Sequence, residues 1–228
     1  MKKLATISLL ALFATRLVSQ TDTSAINLWS IYPGYIITWE DDTIHGFIKL
    51  NNLVHNQKKA IFYNKADDSD PAEKYKPKDI KGYKVGPREY DSYKYHVTNE
   101  TKGYHFFLKL IDGPLSMYKW YFEPENRQKE RVDLDEEDIL NSKIDLSFSE
   151  DDLSSNTFVK KYDAEFIGMS SMKFITNFKK NMSAYVADFP ELAERIANKE
   201  EGYRSSDIEK IIREYNDWYL KSHKNSQS

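Results

Sequence analysis

Tyr35-Ile36-Ile37-Thr38-Trp39, then Glu40-Asp41-Asp42, then Thr43-Ile44-His45-Gly46-Phe47-Ile48-Lys49-Leu50 is the stretch on which the fold turns. The first run is β-branched and aromatic, residue types that suit a pleated, half-buried surface. In the second, Ile44, Gly46, Ile48 and Leu50 share one side, and His45, Phe47 and Lys49 the other. That alternation is the period of a strand. Two such runs across a short acidic turn predict a β-hairpin. Gly46 inside the second run predicts a bulge or bend, as a small barrel requires.

Working outward, further strands are predicted at 60–63, 83–87, 89–98, 104–111, 115–122 and within 157–169. A polar loop is expected at 65–72. Residues 74–82 read as a short strand, one helical turn and a stop at Gly82. Many short strands at this spacing predict an antiparallel barrel or roll. The domain is placed at 33–169, with an acidic insertion at 124–156. Phe174, Ile175, Phe178, Met182, Tyr185, Val186 and Phe189 then recur at steps of three and four, which predicts one amphipathic helix of about five turns. Asp188 is expected to cap the next helix, with Pro190 in its first turn and Glu191 closing a capping box. Ser206-Asp207-Ile208-Glu209 reads as another capping box, before a last helix carrying Ile208, Ile211, Ile212, Tyr215, Trp218 and Tyr219. The helical segment is placed at 170–222, packed on the sheet, with a polar tail at 223–228. Strands first and helices last define an α+β fold class.

Residues 1–19 predict a cleavable signal peptide. Met1-Lys2-Lys3 is a basic start, and Leu4 to Ala14 is apolar except for Thr6 and Ser8. Small Ser19 closes the segment, although Arg16 stands unusually near the cut. The apolar run falls short of the about 20 residues that span a bilayer. The chain is therefore expected to be exported: periplasmic, outer-membrane-associated or extracellular. No later run has membrane length. The chain has no cysteine, so no lipid anchor, disulfide or Cys-ligated zinc is expected. Cleavage leaves 30 basic against 36 acidic residues, because Lys2, Lys3 and Arg16 depart from the 33 basic ones. A mildly acidic surface offers no field that tracks phosphates, which argues against nucleic acid as a partner.

Five stretches carry a family resemblance: Gly34 to Thr38, Asp42 to Ile48, Tyr75-Lys76-Pro77-Lys78-Asp79-Ile80-Lys81-Gly82-Tyr83, Lys109-Leu110-Ile111-Asp112-Gly113-Pro114-Leu115-Ser116-Met117-Tyr118, and Pro190-Glu191-Leu192 with Glu214-Tyr215-Asn216. In this order they resemble a group of exported Bacteroidota-type proteins of unknown function. The likeness runs from Gly34 to Tyr219, and the acidic stretch 130–155 lies outside it. Some relatives in that group look like this domain joined to an outer-membrane barrel. The resemblance implies export and an envelope setting; it implies no catalytic residue.

The chemistry-bearing residues do not converge. His45, His55, His96, His105 and His223 show no metal-ligand spacing, although His45 and His105 are candidates to meet across strands. Asp133-Leu134-Asp135-Glu136-Glu137-Asp138 resembles a calcium loop but lacks its glycine and its closing glutamate; a solvated acidic loop is the plainer reading. Gly168-Met169-Ser170-Ser171 lacks the second glycine of a nucleophile elbow, and Ser170 reads better as a helix cap. Asp79 reads as a turn former. No cofactor or metal is expected. Trp39, Tyr118, Trp120 and Tyr121 are the candidate ligand-binding residues, as an aromatic platform. Alternation puts Ser116, Tyr118, Trp120 and Phe122 on one face, which is first expected to be core. The function expected is a non-enzymatic protein- or ligand-binding module of the envelope. Two alternatives stay open: an envelope hydrolase using a carboxylate pair, and a glycan binder with an aromatic groove.

Overall fold

A computed structural model describes residues 27–67, 71–96, 102–123, 153–162 and 164–224. The expected signal peptide, the calcium-like loop, most of the acidic insertion and the last tail residues lie outside the described residues.

The described chain is mixed α+β. Ten strands form one antiparallel sheet: β1 (Ile31–Ile37), β2 (Thr43–Lys49), β3 (Ala60–Tyr63), β4 (Glu73–Tyr75), β5 (Gly82–Val85), β6 (Arg88–His96), β7 (Lys102–Ile111), β8 (Leu115–Phe122), β9 (Ser154–Lys161) and β10 (Ile167–Gly168). Their order is β10-β9-β8-β7-β6-β5-β1-β2-β3-β4. The sheet curls into a half-barrel, and among the described residues its edges β10 and β4 do not pair with each other. The expected barrel is thus an open curled sheet here.

The founding hairpin forms with Ile36 opposite Ile44 and Gly34 opposite Gly46. The turn is longer than the acidic triplet. Thr38 N donates to Asp42 O at 2.9 Å, and Asp41 takes a left-handed φ of 69°. Thr38 and Trp39 therefore leave the strand for the turn. Gly46 makes no bulge, because its pairing is regular. A Cβ there would sit 2.3 Å from the Phe62 ring, so glycine lets β2 and the Phe62 side chain approach closely. The irregularity falls instead between Lys109 and Ile111, opposite Tyr118 and Met117. The extra residue, Leu110, is exposed and returns Ile111 to the face that Leu108 occupies.

That face carries two cores. One gathers Ile36, Ile48, Leu50, Phe62, Tyr83, Tyr90, Phe106 and Leu108, with Leu53 from a helix not anticipated in the sequence, α1 (Leu53–Asn56). The other gathers Ile111, Leu115, Met117 and Val159 beneath the C-terminal helices. Those helices are α2 (Met172–Thr176), α3 (Phe178–Tyr185), α4 (Pro190–Ala197) and α5 (Ile208–Lys224).

The expected five-turn helix is divided at Asn177, whose ψ of 18° interrupts the spiral. Its start is capped by Ser171, not Ser170. Ser170 Oγ accepts from Thr157 N at 2.9 Å and so ties the helix entrance to β9. Asp188 does not cap α4, which begins after Phe189 with Pro190 in its first turn. The Asp188 carboxylate instead accepts from Lys161 Nζ at 2.7 Å and Tyr215 Oη at 2.5 Å. Before α5, Asp207 Oδ2 accepts from Arg204 N at 2.9 Å, so the box forms two residues earlier than expected. Asp79 is the turn former expected, its carboxylate accepting from Lys76 N at 2.8 Å.

Candidate functional site

The site grows from a place where two strands stop pairing. β7 and β8 are joined at Ile111, Lys109 and Leu108, and the ladder ends at the pair Leu108 and Lys119. Gln57, just after α1, enters the gap that follows. Its backbone oxygen accepts from Phe106 N at 3.3 Å. Its side-chain amide donates to Tyr121 O at 2.8 Å and accepts from Tyr121 N at 2.6 Å. One buried glutamine thus bonds both strands where they part. Every backbone group it engages needs such a partner once removed from water.

The split opens a groove of about 540 Å³. Tyr104, Trp120, Tyr121, Phe122 and Pro77 supply its apolar walls; Gln57, Lys58, His105 and Glu123 supply its polar groups. Trp120 stacks on Phe122 with ring centres 5.8 Å apart, and His105 stands edge-on to Trp120 at 6.1 Å. Tyr104 continues the aromatic surface to Trp39, edge-on at 5.5 Å. The Trp39 indole N–H donates to Lys78 O at 2.9 Å, next to Pro77 in the groove wall. Trp39 and Tyr104 are each 41% exposed. A few polar groups set among aromatic walls is the usual chemistry of a small-molecule or cofactor site.

Three of the four residues singled out in the sequence, Trp39, Trp120 and Tyr121, therefore adjoin this groove. Tyr118 does not. It is 2% exposed, and its hydroxyl donates to Asp91 Oδ2 at 2.8 Å and shares a hydrogen bond with Tyr93 at 3.0 Å. Gln57, Tyr104 and Phe122 were not singled out. Phe122 shares Trp120's strand face, a signal the alternation did contain; nothing local marks Gln57.

The polar cluster around Tyr118 lies on the opposite face from the two main cores. Lys109 Nζ lies 2.7 Å from Glu89 Oε1, 3.0 Å from Asp91 Oδ2 and 3.5 Å from Asp112 Oδ1. Burial pushes the Asp91 carboxyl above its ordinary range, with the Lys109 ammonium opposing. Burial alone would lower the Lys109 pKa, but the Asp91 and Glu89 carboxylates outweigh it and hold the ammonium above its usual value. Phe166 closes part of this face, stacked on Tyr93 at 4.2 Å and on Phe158 at 5.2 Å. Glu89 and Asp91 share one ammonium, an arrangement that ties both carboxylates to Lys109 rather than setting acid and base across a substrate.

The histidine pair does not form. His45 on β2 faces Tyr35 at 5.8 Å, whereas His105 lies on β7, with β6, β5 and β1 between the two strands. Among the described residues no group of three or more His, Cys, Asp or Glu is placed to hold a metal ion. No described helix is long and apolar enough to cross a membrane. No family model matches the sequence, and neither a curated protein nor a solved structure matches it.

Proposed function

We propose that this chain is a non-enzymatic binding module of the cell envelope, and that it binds a glycan in the groove between β7 and β8. The observation that carries the reading is the split itself. A glutamine bonds both strands where their ladder ends, and aromatic side chains line the opening. A sugar ring has apolar C–H faces and polar edges, so aromatic walls with a few hydrogen-bonding groups match it. The leader and the resemblance described above support export. The hydrolase alternative draws no support from Glu89 and Asp91, two carboxylates on one strand face, because both are held by Lys109.

The test is a polysaccharide array probed with the purified chain and with Trp120→Ala. Specific retention that the substitution abolishes is the expected result. Absence of any glycan binding, or binding indifferent to Trp120, refutes the proposal.

A further inference from the structure

We infer that the groove takes an extended, uncharged, β-linked chain of gluco-configured sugars, gripped at two separate aromatic stations; this rests on the glycan reading above. The first station is Trp120 stacked on Phe122. The second is Trp39 against Tyr104, and Tyr104 itself lines the groove, so the two stations belong to one continuous surface.

Trp39 is the informative residue. It stands on a hairpin turn, 41% exposed and outside the buried clusters, so core packing does not explain it. Its indole N–H is nevertheless fixed on Lys78 O at 2.9 Å. A large apolar ring held in one orientation at the surface loses little further freedom when something stacks on it. A ligand filling only the groove would leave this ring unused; a longer chain reaches it.

Charge and hydrogen bonding narrow the ligand. Lys58 and Glu123 give the groove one charge of each sign, so no anionic or cationic polymer is favoured. A peptide adding as a strand needs a free backbone edge. Here Phe106 N and both backbone groups of Tyr121 are already engaged by Gln57. Aromatic stacking needs no such edge. Sugars with all ring substituents equatorial expose flat C–H faces on both sides, and β-1,4 linkage keeps their chain extended enough to reach from one station to the other.

The experiment is calorimetric titration of the full chain with glucose and N-acetylglucosamine β-1,4 oligomers, from disaccharide to hexamer. Affinity is expected to rise about tenfold with length, the value of one aromatic stack. Trp39→Ala should erase that gain and leave disaccharide binding unchanged, while Trp120→Ala weakens every length. Tyr104→Ala removes both a groove wall and the ring that Trp39 meets, so it should weaken the disaccharide and also erase the gain with length. Equal affinity at all lengths, or a gain that survives both far-station variants, overturns the two-station inference and leaves the groove reading standing. No binding of any oligomer overturns the inference as well. Silence on the wider array, or binding there that ignores Trp120, then also removes the glycan reading.

Discussion

Asn216 pairs with the backbone of Leu115 in both directions. Its Oδ1 accepts from Leu115 N at 2.8 Å, and its Nδ2 donates to Leu115 O at 2.9 Å. A side chain on α5 thus behaves as one more strand residue at the start of β8. Both residues are buried, so Asn216→Ala leaves two backbone groups without water or partner. The expected loss is about 2–4 kcal/mol, read from the urea unfolding midpoint. Gly113 has φ 152°, and a Cβ there would lie 2.6 Å from Asn216 Nδ2. Gly113→Ala should therefore cost less in the Asn216→Ala background than alone. Additive costs would show that the two positions do not communicate.

The Asn216 contact marks the limit of what the sequence discloses. The hairpin at 35–50 was legible because alternation is a local property, and so was the apolar face of α5 at Ile211, Ile212 and Tyr215. The Asn216 bond spans 101 positions, and no periodicity carries it. Asp188 shows the same limit. Beside Phe189 and Pro190 it has the local form of a cap, but Lys161 and Tyr215, each 27 positions away, take its carboxylate. At the groove, Trp39, Trp120 and Tyr121 were legible as large aromatics in or beside strands. Gln57 was not, because its role exists only where two distant strands part. Tyr118 misled for the opposite reason: alternation placed it beside Trp120, while burial and the Asp91 carboxylate claimed its hydroxyl.

Gln57 offers a test of the split itself. Its amide both donates to and accepts from Tyr121. Gln57→Glu keeps the acceptor and places a second oxygen opposite Tyr121 O. The expected cost is about 2 kcal/mol at neutral pH. The loss should shrink in acid, where a protonated glutamate donates again. Unfolding at neutral and acidic pH measures it; a pH-independent loss would mean that the donor has no role.

Lys109 holds the charge balance on the opposite face. Its side chain is 13% exposed, and Asp91's is 19% exposed. Lys109→Met leaves the buried Asp91 carboxylate without its ammonium, a change expected to cost about 3 kcal/mol at neutral pH. Burial already raises the Asp91 pKa, and without Lys109 it rises further. A folded pKa above the unfolded one means that the fold binds the proton more tightly. The variant should therefore lose stability as pH climbs through that interval and recover some as Asp91 protonates. Adding Asp91→Asn should restore part of the loss and flatten the profile. If the single variant shows the wild-type pH profile, Asp91 is not the group that Lys109 serves.

Asp188 predicts the opposite slope. Burial alone would raise its carboxyl, but hydrogen bonds from Lys161 and Tyr215 outweigh that and hold the pKa below the ordinary value of 3.8. A depressed folded pKa contributes stability that is complete above the unfolded value and disappears as pH falls through the folded one. Asp188 is 39% exposed, so solvent screening keeps the ionic part to at most about 1 kcal/mol. Asp188→Asn should then narrow the difference from wild type progressively below pH about 4, as the unfolded carboxyl takes up its proton first and the native one follows at lower pH. Tyr215→Phe removes one of the two donors and should shift the acid limb of the wild-type curve in the same direction by a smaller amount. Thermal melts across the acid range decide the matter. If wild type and Asp188→Asn run parallel from neutral pH into acid, the carboxylate does not clamp α5 to β9, and the aromatic packing of Tyr215 holds the helices in place without it.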